Sequence, residues 1–176
     1  ESYFYKKNIL PNKFIRDIDE GGYTKNLEIL FDQQAQIAKV NDFKKNTSKD
    51  FSFKKNSQDM VSVFYYLRNF FSLEKLDDRN EMSIDMFFDS ENYKLKIKYL
   101  STEILNTNFG KILCYKIQPY VQSGRVFNKD ESLTMWITAD KNRIPIKIKA
   151  DIIVGSIRID LESFSNLNNS FEIKFD

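Results

Sequence analysis

The sequence predicts a mainly β protein, an open antiparallel sheet strongly curved around one main helix. Three observations carry that expectation. One stretch, Gln58–Phe71, reads as a helix. Most other apolar residues alternate with polar ones at period two, as half-buried strands do. Turn-length breaks join successive alternating runs, so neighbours in sequence pair antiparallel as a meander.

Taken in order, Ser2–Lys6 and Phe14–Ile18 are short strand candidates separated by Pro11-Asn12. Asp19-Glu20-Gly21-Gly22-Tyr23 is a turn, its paired glycines free to take positive φ. Leu27–Phe31 and Ile37–Val40 follow as strands, and Asn41–Asn56, rich in Lys, Asn and Ser, reads as an exposed loop. In the helix, Ser57 is the expected N-cap and Asp59 sits in the first turn, where the dipole favours negative charge. Met60, Val61, Phe64, Leu67 and Phe71 form one apolar stripe, and Val63, Tyr66 and Phe70 extend it round most of the circumference. A helix apolar on nearly all sides predicts enclosure on more than one side, for which a curved sheet is the available wall.

Beyond a polar break at Asp77–Asn80 the pattern is β to the end. Met82, Ile84, Met86 and Phe88 alternate with Ser83, Asp85 and Phe87; Tyr93, Leu95, Ile97 and Tyr99 alternate with Lys94, Lys96 and Lys98. With Asp89–Asn92 as the turn, these runs predict a hairpin with one wet face. Lys111–Gln118 is apolar on both faces and therefore central. Leu133–Ala139 and Ile144–Val154 alternate on either side of Asp140–Arg143 and predict a second hairpin. Gly155 ends that run, and Ile157, Ile159 and Leu161 alternate with Arg158, Asp160 and Glu162.

Composition narrows the chemistry. A chain of 176 residues with 41% hydrophobic and 15% aromatic content suits one domain with a sizeable core. Lysine and arginine total 27 against 25 acids, a net charge of +2, and that balance predicts no nucleic-acid partner. Histidine is absent, which removes Ser-His-Asp and Cys-His catalysis, His-ligated metals and a histidine pH switch. The single Cys114 has no second thiol in the chain to bridge with. No apolar run approaches the roughly 20 residues of a membrane span. We expect no catalytic residues, no metal and no cofactor, and so no enzyme.

Each candidate site residue has a sharp reading and a plain one. Tyr65, Tyr66 and Arg68 are candidates to line a ligand cleft beside the helix; packing of the tyrosines in the core is the commoner fate. Trp136 is a candidate stacking platform, against the more frequent role of covering the second face of its sheet. Lys94, Lys96 and Lys98 read as a solvated strand face that also discourages edge pairing. The acid pairs Asp17/Asp19 and Asp77/Asp78 read as turn residues, and Cys114 as a buried structural thiol. Arg68, the one charge amid the apolar helix, needs a carboxylate or several carbonyls, and Glu20 is the expected partner.

Several segments together resemble a known bacterial family. They are Glu20-Gly21-Gly22-Tyr23, Gln58-Asp59 with Phe64-Tyr65-Tyr66-Leu67-Arg68, Trp136-Ile137-Thr138-Ala139-Asp140, Pro145, and Val154-Gly155-Ser156. Their order and spacing resemble domain of unknown function 3108, a family of uncharacterised exported proteins of Gram-negative bacteria. The resemblance implies an exported, periplasmic protein with a clam-like or half-barrel sheet and one helix against its concave face. It also implies a signal peptide and further strands ahead of Glu1, and it supplies no catalytic residues. Together these expectations describe a non-enzymatic envelope protein binding an apolar or amphipathic small molecule near Phe64, Tyr65, Tyr66, Arg68 and Trp136. The alternative is a structural or interaction module that docks an envelope protein.

Overall fold

The computed structural model describes residues 1–121, 133–151 and 155–173. Among them the chain is mainly β, with two antiparallel sheets, one α-helix and no closed barrel. The expected antiparallel class and single main helix are both present, and the strands divide between two sheets. Two compact units organise the chain, Glu1–Leu67 with Ile84–Lys94, and Arg68–Ser83 with Leu95–Asp176.

The first unit holds β1 (Ser2–Phe4), β2 (Pro11–Glu20), β3 (Tyr23–Asp32), β4 (Ile37–Asp42) and β5 (Thr47–Ser52), an antiparallel meander in that spatial order. Alternation works as expected: Phe14, Leu27, Ile29, Phe31, Ala38 and Val40 turn to one face and bury there with Phe53 and Phe87. The opposite face carries a polar row across four strands. Lys13 pairs with Glu28 at 2.5 Å, Asn41 donates to Glu28, and Ser48 donates to Asn41. Gly21 and Gly22 close β2 onto β3 with φ of +54° and +91°. Left-handed values at both positions give the turn a twist that matches the strands, and only glycine adopts them without steric cost.

Strand β5 departs from the expected loop over Asn41–Asn56. Its residues Thr47–Ser52 pair with β4 in regular register, Ile37 opposite Ser52 through Asp42 opposite Thr47. Only Phe51 and its neighbourhood contribute burial, since Thr47–Asp50 are exposed. An edge strand is held by its backbone ladder, so its side chains stay polar, and Lys49 and Asp50 suit an edge that must not recruit another strand.

The second sheet has the order β11-β10-β9-β8-β7-β6. Its strands are β6 (Glu81–Phe88), β7 (Glu91–Thr107), β8 (Gly110–Val121), β9 (Leu133–Thr138), β10 (Pro145–Asp151) and β11 (Ser156–Asp160). The expected hairpin over Asp140–Arg143 forms, with β9 antiparallel to β10 from Ile137 opposite Pro145 to Leu133 opposite Ala150. Ile152 and Val154, the far end of that expected run, lie outside the described residues. β8 is interior, as its two apolar faces predict. Ile112 and Cys114 bury with Trp136, Ile144 and Ile146, while the ring of Tyr115 meets Phe71 at 6.0 Å.

Lys96 departs from the solvated reading of its strand face. Lys94 and Lys98 are exposed, but Lys96 is buried, paired with Glu81 at 3.4 Å and set over the ring of Tyr120. Glu81 also accepts from the Tyr120 hydroxyl at 2.6 Å, so the buried charge is neutralised and hydrogen-bonded. β11 is exposed along its length, Ile157 and Ile159 included.

Candidate functional site

The candidate site is built on α1 (Ser62–Phe70), and its geometry starts with the residues that launch the helix. Asp59, not Ser57, is the cap. Its Oδ1 accepts the backbone N–H groups of Val61 and Ser62, each at 2.7 Å, and the Ser62 hydroxyl accepts from the Asp59 N–H at 2.9 Å. The reciprocal pair satisfies three donors at a buried helix start. Residue 58 is unavailable to the helix because its main chain pairs with β6. The Gln58 N–H donates to Asp85 and its carbonyl accepts from Phe87, both at 2.9 Å. Ser57 and Gln58 are fully buried, and in the described structure Ser57 Oγ and Gln58 Oε1 have no hydrogen-bond partner.

Ser62, Val63 and Leu67 form the buried stripe of α1. The enclosure expected on more than one side fails on one face: Val61, Phe64 and Tyr65 are 38%, 46% and 48% exposed. These three positions are related by i, i+3 and i+4 spacing and so share one surface. The Phe4 ring of β1 lies 5.1 Å from that of Tyr65, centroid to centroid, and Ser2 of the same strand donates to the Asp59 carboxylate. Strand β1 therefore supports this face at both ends of the first helical turns. Tyr66 is half-buried.

Of the remaining predicted site residues, Arg68 shares α1 and Trp136 lies in β9. Arg68 is half-buried in the last turn of α1, where a cation suits the helix dipole. Its Nε donates to the Asn142 carbonyl at 2.8 Å. Glu20, its expected partner, is exposed at the end of β2 in the other unit. Trp136 is buried in β9 of the second unit, covering a sheet face with Ile112 and Cys114. Its indole N–H donates to Glu103, and Lys116 and Lys147, its cross-strand neighbours on either side, lie 5.3 and 5.4 Å from the ring. The structural role of Trp136 is thus complete within its own sheet.

Among the described residues, clefts of about 300 and 360 Å³ lie away from the helix. Lys25, Lys45, Lys49, Asp42 and Asp89 line the first, and Asn106, Thr107, Lys147, Arg158 and Asp160 the second. Neither includes Phe64, Tyr65, Tyr66 or Trp136, so neither is the aromatic-walled pocket a lipid-like ligand fits best.

Asp89 organises the first cleft. Its carboxylate takes the Arg16 guanidinium at 2.9 and 3.0 Å, and Lys25 beside it. Burial by itself pushes this carboxyl up, but the hydrogen bonds and charges of Lys25 and Arg16 outweigh it and hold the value below the usual aspartate range. A depressed folded value means that the stabilisation is complete above the unfolded pKa, about 3.9, and is lost as pH falls through the folded one. Urea midpoints measured between pH 6 and pH 2.5 should therefore drop at the acid end, and Asp89→Asn should flatten part of that drop. An identical acid limb in the variant would remove Asp89 from the explanation.

Burial, with the Glu103 and Asp140 carboxylates nearby, pushes the Cys114 thiol up to about 12, far from a nucleophilic thiolate. No described cluster of three or more His, Cys, Asp or Glu residues is placed to hold a metal ion. Among the described residues no helix is long and apolar enough to cross a membrane. No curated protein and no solved structure matches the chain. A family does match, over residues 1–162, and the segments quoted from the sequence all fall inside it. The chain belongs to the family described as protein of unknown function (DUF3108).

Proposed function

We propose that this chain is a non-enzymatic, exported protein of the periplasm that works by docking an envelope partner on the open face of α1. The observation that carries this reading is the exposure of Val61, Phe64 and Tyr65 on one side of a helix whose other side is buried. Water contact on that surface is unfavourable by about 25 cal/mol per Å² of apolar area, so a partner that covers it gains that amount. The face is open and convex, as a helix surface is, and suits a partner that brings its own groove. Lack of histidine and the inert setting of Cys114 support a non-enzymatic role. Export and periplasmic residence rest on the resemblance to the family.

An apolar or amphipathic small molecule is the second reading, favoured by the Phe4–Tyr65 ring pair, which offers an acyl chain an aromatic ledge. One pair of experiments separates the two. A photo-crosslinking residue at Phe64 in the native host should trap a discrete protein that a probe at exposed Lys39 does not. A fluorescent fatty acid should show no saturable binding that Tyr65→Ala weakens. Saturable, Tyr65-dependent binding without a crosslinked protein would transfer the function to the small-molecule reading, and failure of both removes this face from function.

A further inference from the structure

After β11 the chain runs over its own sheet as a segment without secondary structure, residues 162–173. It lies almost wholly beyond the part matched by the family. Leu167 and Phe171 pack on the buried cluster of Ile112, Trp136, Ile144 and Ile146. Phe164 and Phe171 pack against each other at 4.4 Å with their rings tilted by 37°, and both rings meet Phe109 in the β7–β8 turn, at 5.2 and 6.0 Å. Gly110 beside it admits the segment closely: a Cβ there would stand 3.0 Å from the Ile173 side chain.

One side chain reads the backbone of this segment. Asn142 is 3% exposed, and its amide nitrogen donates to the carbonyls of Asn169 at 3.2 Å and Ser170 at 2.9 Å. Its oxygen accepts from the Asn169 N–H at 3.3 Å and from the Asn169 side-chain amide at 3.4 Å. Asp140 holds it in place by accepting from the same amide and from the Asn142 backbone. Asn142 therefore behaves towards residues 169–170 as a neighbouring strand would, donating and accepting at main-chain groups whatever their side chains. Hydrogen bonds to the main chain beside pockets for side chains are the elements with which strand-adding sites bind extended peptides, and the Asn142 amide supplies the first of them.

We propose that the surface made by Asn142, Phe109 and the cluster of Ile112, Trp136, Ile144 and Ile146 is a peptide-binding site and that residues 162–173 are its resident, exchangeable occupant. Its ligand class is an extended peptide with aromatic side chains spaced as Phe164 and Phe171 are. The segment has no ladder of its own, so it opens in a local step well below global unfolding, and a peptide of the same chemistry from another chain takes its place.

The test uses the full chain and a labelled synthetic peptide of sequence ESFSNLNNSFEI, which is residues 162–173. In wild type the peptide competes with the resident segment and binds weakly. In the Phe164→Ala, Phe171→Ala chain the resident is weakened, more of the site is free, and the peptide should bind about tenfold more tightly. Adding Asn142→Ala to that chain should abolish binding. By hydrogen exchange, the Asn169 amide of wild type should exchange faster than the β8 amides. No peptide binding to the folded double variant overturns the proposal. So does an Asn169 amide that exchanges only with global unfolding, or a double variant that does not fold, because either makes the segment part of the core.

Discussion

Phe87→Ala is expected to destabilise the first unit by about 3–5 kcal/mol, the range for removing a fully buried aromatic ring. Phe87 has no exposed surface and touches three other rings, Phe31 at 6.0 Å, Phe53 at 6.1 Å and Phe51 at 6.4 Å. The Phe31 contact is edge-on, as is that between Phe31 and Phe53, the geometry that aromatic quadrupoles favour. Alanine leaves a space walled by rings belonging to β3, β5 and the residue after β5, and rings on a paired sheet have little freedom to collapse into it. The urea midpoint should fall with little change in slope, followed by circular dichroism, because Trp136, the one tryptophan, reports on the second unit. Phe87→Leu should lose far less. A loss below about 1 kcal/mol for alanine would show that the core is not closed by this ring.

Asp59→Ala is expected to lose about 3 kcal/mol, more than an ordinary cap, whose removal reaches about 2 kcal/mol. The excess arises because the site is sealed. Asp59 and Ser62 are fully buried, so the N–H groups of Val61 and Ser62 that lose their acceptor gain little from water in exchange. The Ser2 hydroxyl, bonded to Oδ2, is released at the same time and with it a tie to β1. Asp59→Asn keeps an acceptor in the same place and should retain most of the stability. Equal losses for alanine and asparagine in urea unfolding would mean that charge, not capping, is the source. Since α1 carries the candidate docking face, Asp59→Ala should also reduce crosslinking from position 64, whereas Asp59→Asn should not.

Much of the fold was legible in local chemistry. Alternation located β2, β3, β4, β6, β9 and β10, because in a strand each side chain reports the face it occupies. Gly21-Gly22 and Asp140–Arg143 marked two of the turns through backbone freedom and side-chain hydrogen bonding. The doubly apolar run in β8 gave its interior place. Aromatic positions on α1 were visible too, but which of them stay in water was not. Helical spacing shows that Phe64, Tyr65 and Leu67 exist on a cylinder; only the packed chain reveals that Leu67 is 5% exposed and Phe64 46%.

Other features carried no local signal because backbone or distant partners create them. β5 is polar because the ladder to β4 holds it, and a hydrogen-bond ladder leaves no mark on side-chain pattern. Ser57 and Asp59 are both good caps, and the choice fell to Asp59 when Gln58 was drawn into pairing beside β6. Lys96 belongs to a row that reads as solvated, yet its ion pair with the half-buried Glu81 makes its burial tolerable. Asn142 looked like an ordinary turn residue until residues 169–170 came to lie across it. Propensity and periodicity are properties of neighbours in sequence, and they specify strands, turns and a helix. Burial, capping register and open surface depend on which segments meet across tens of residues, and that is settled by packing.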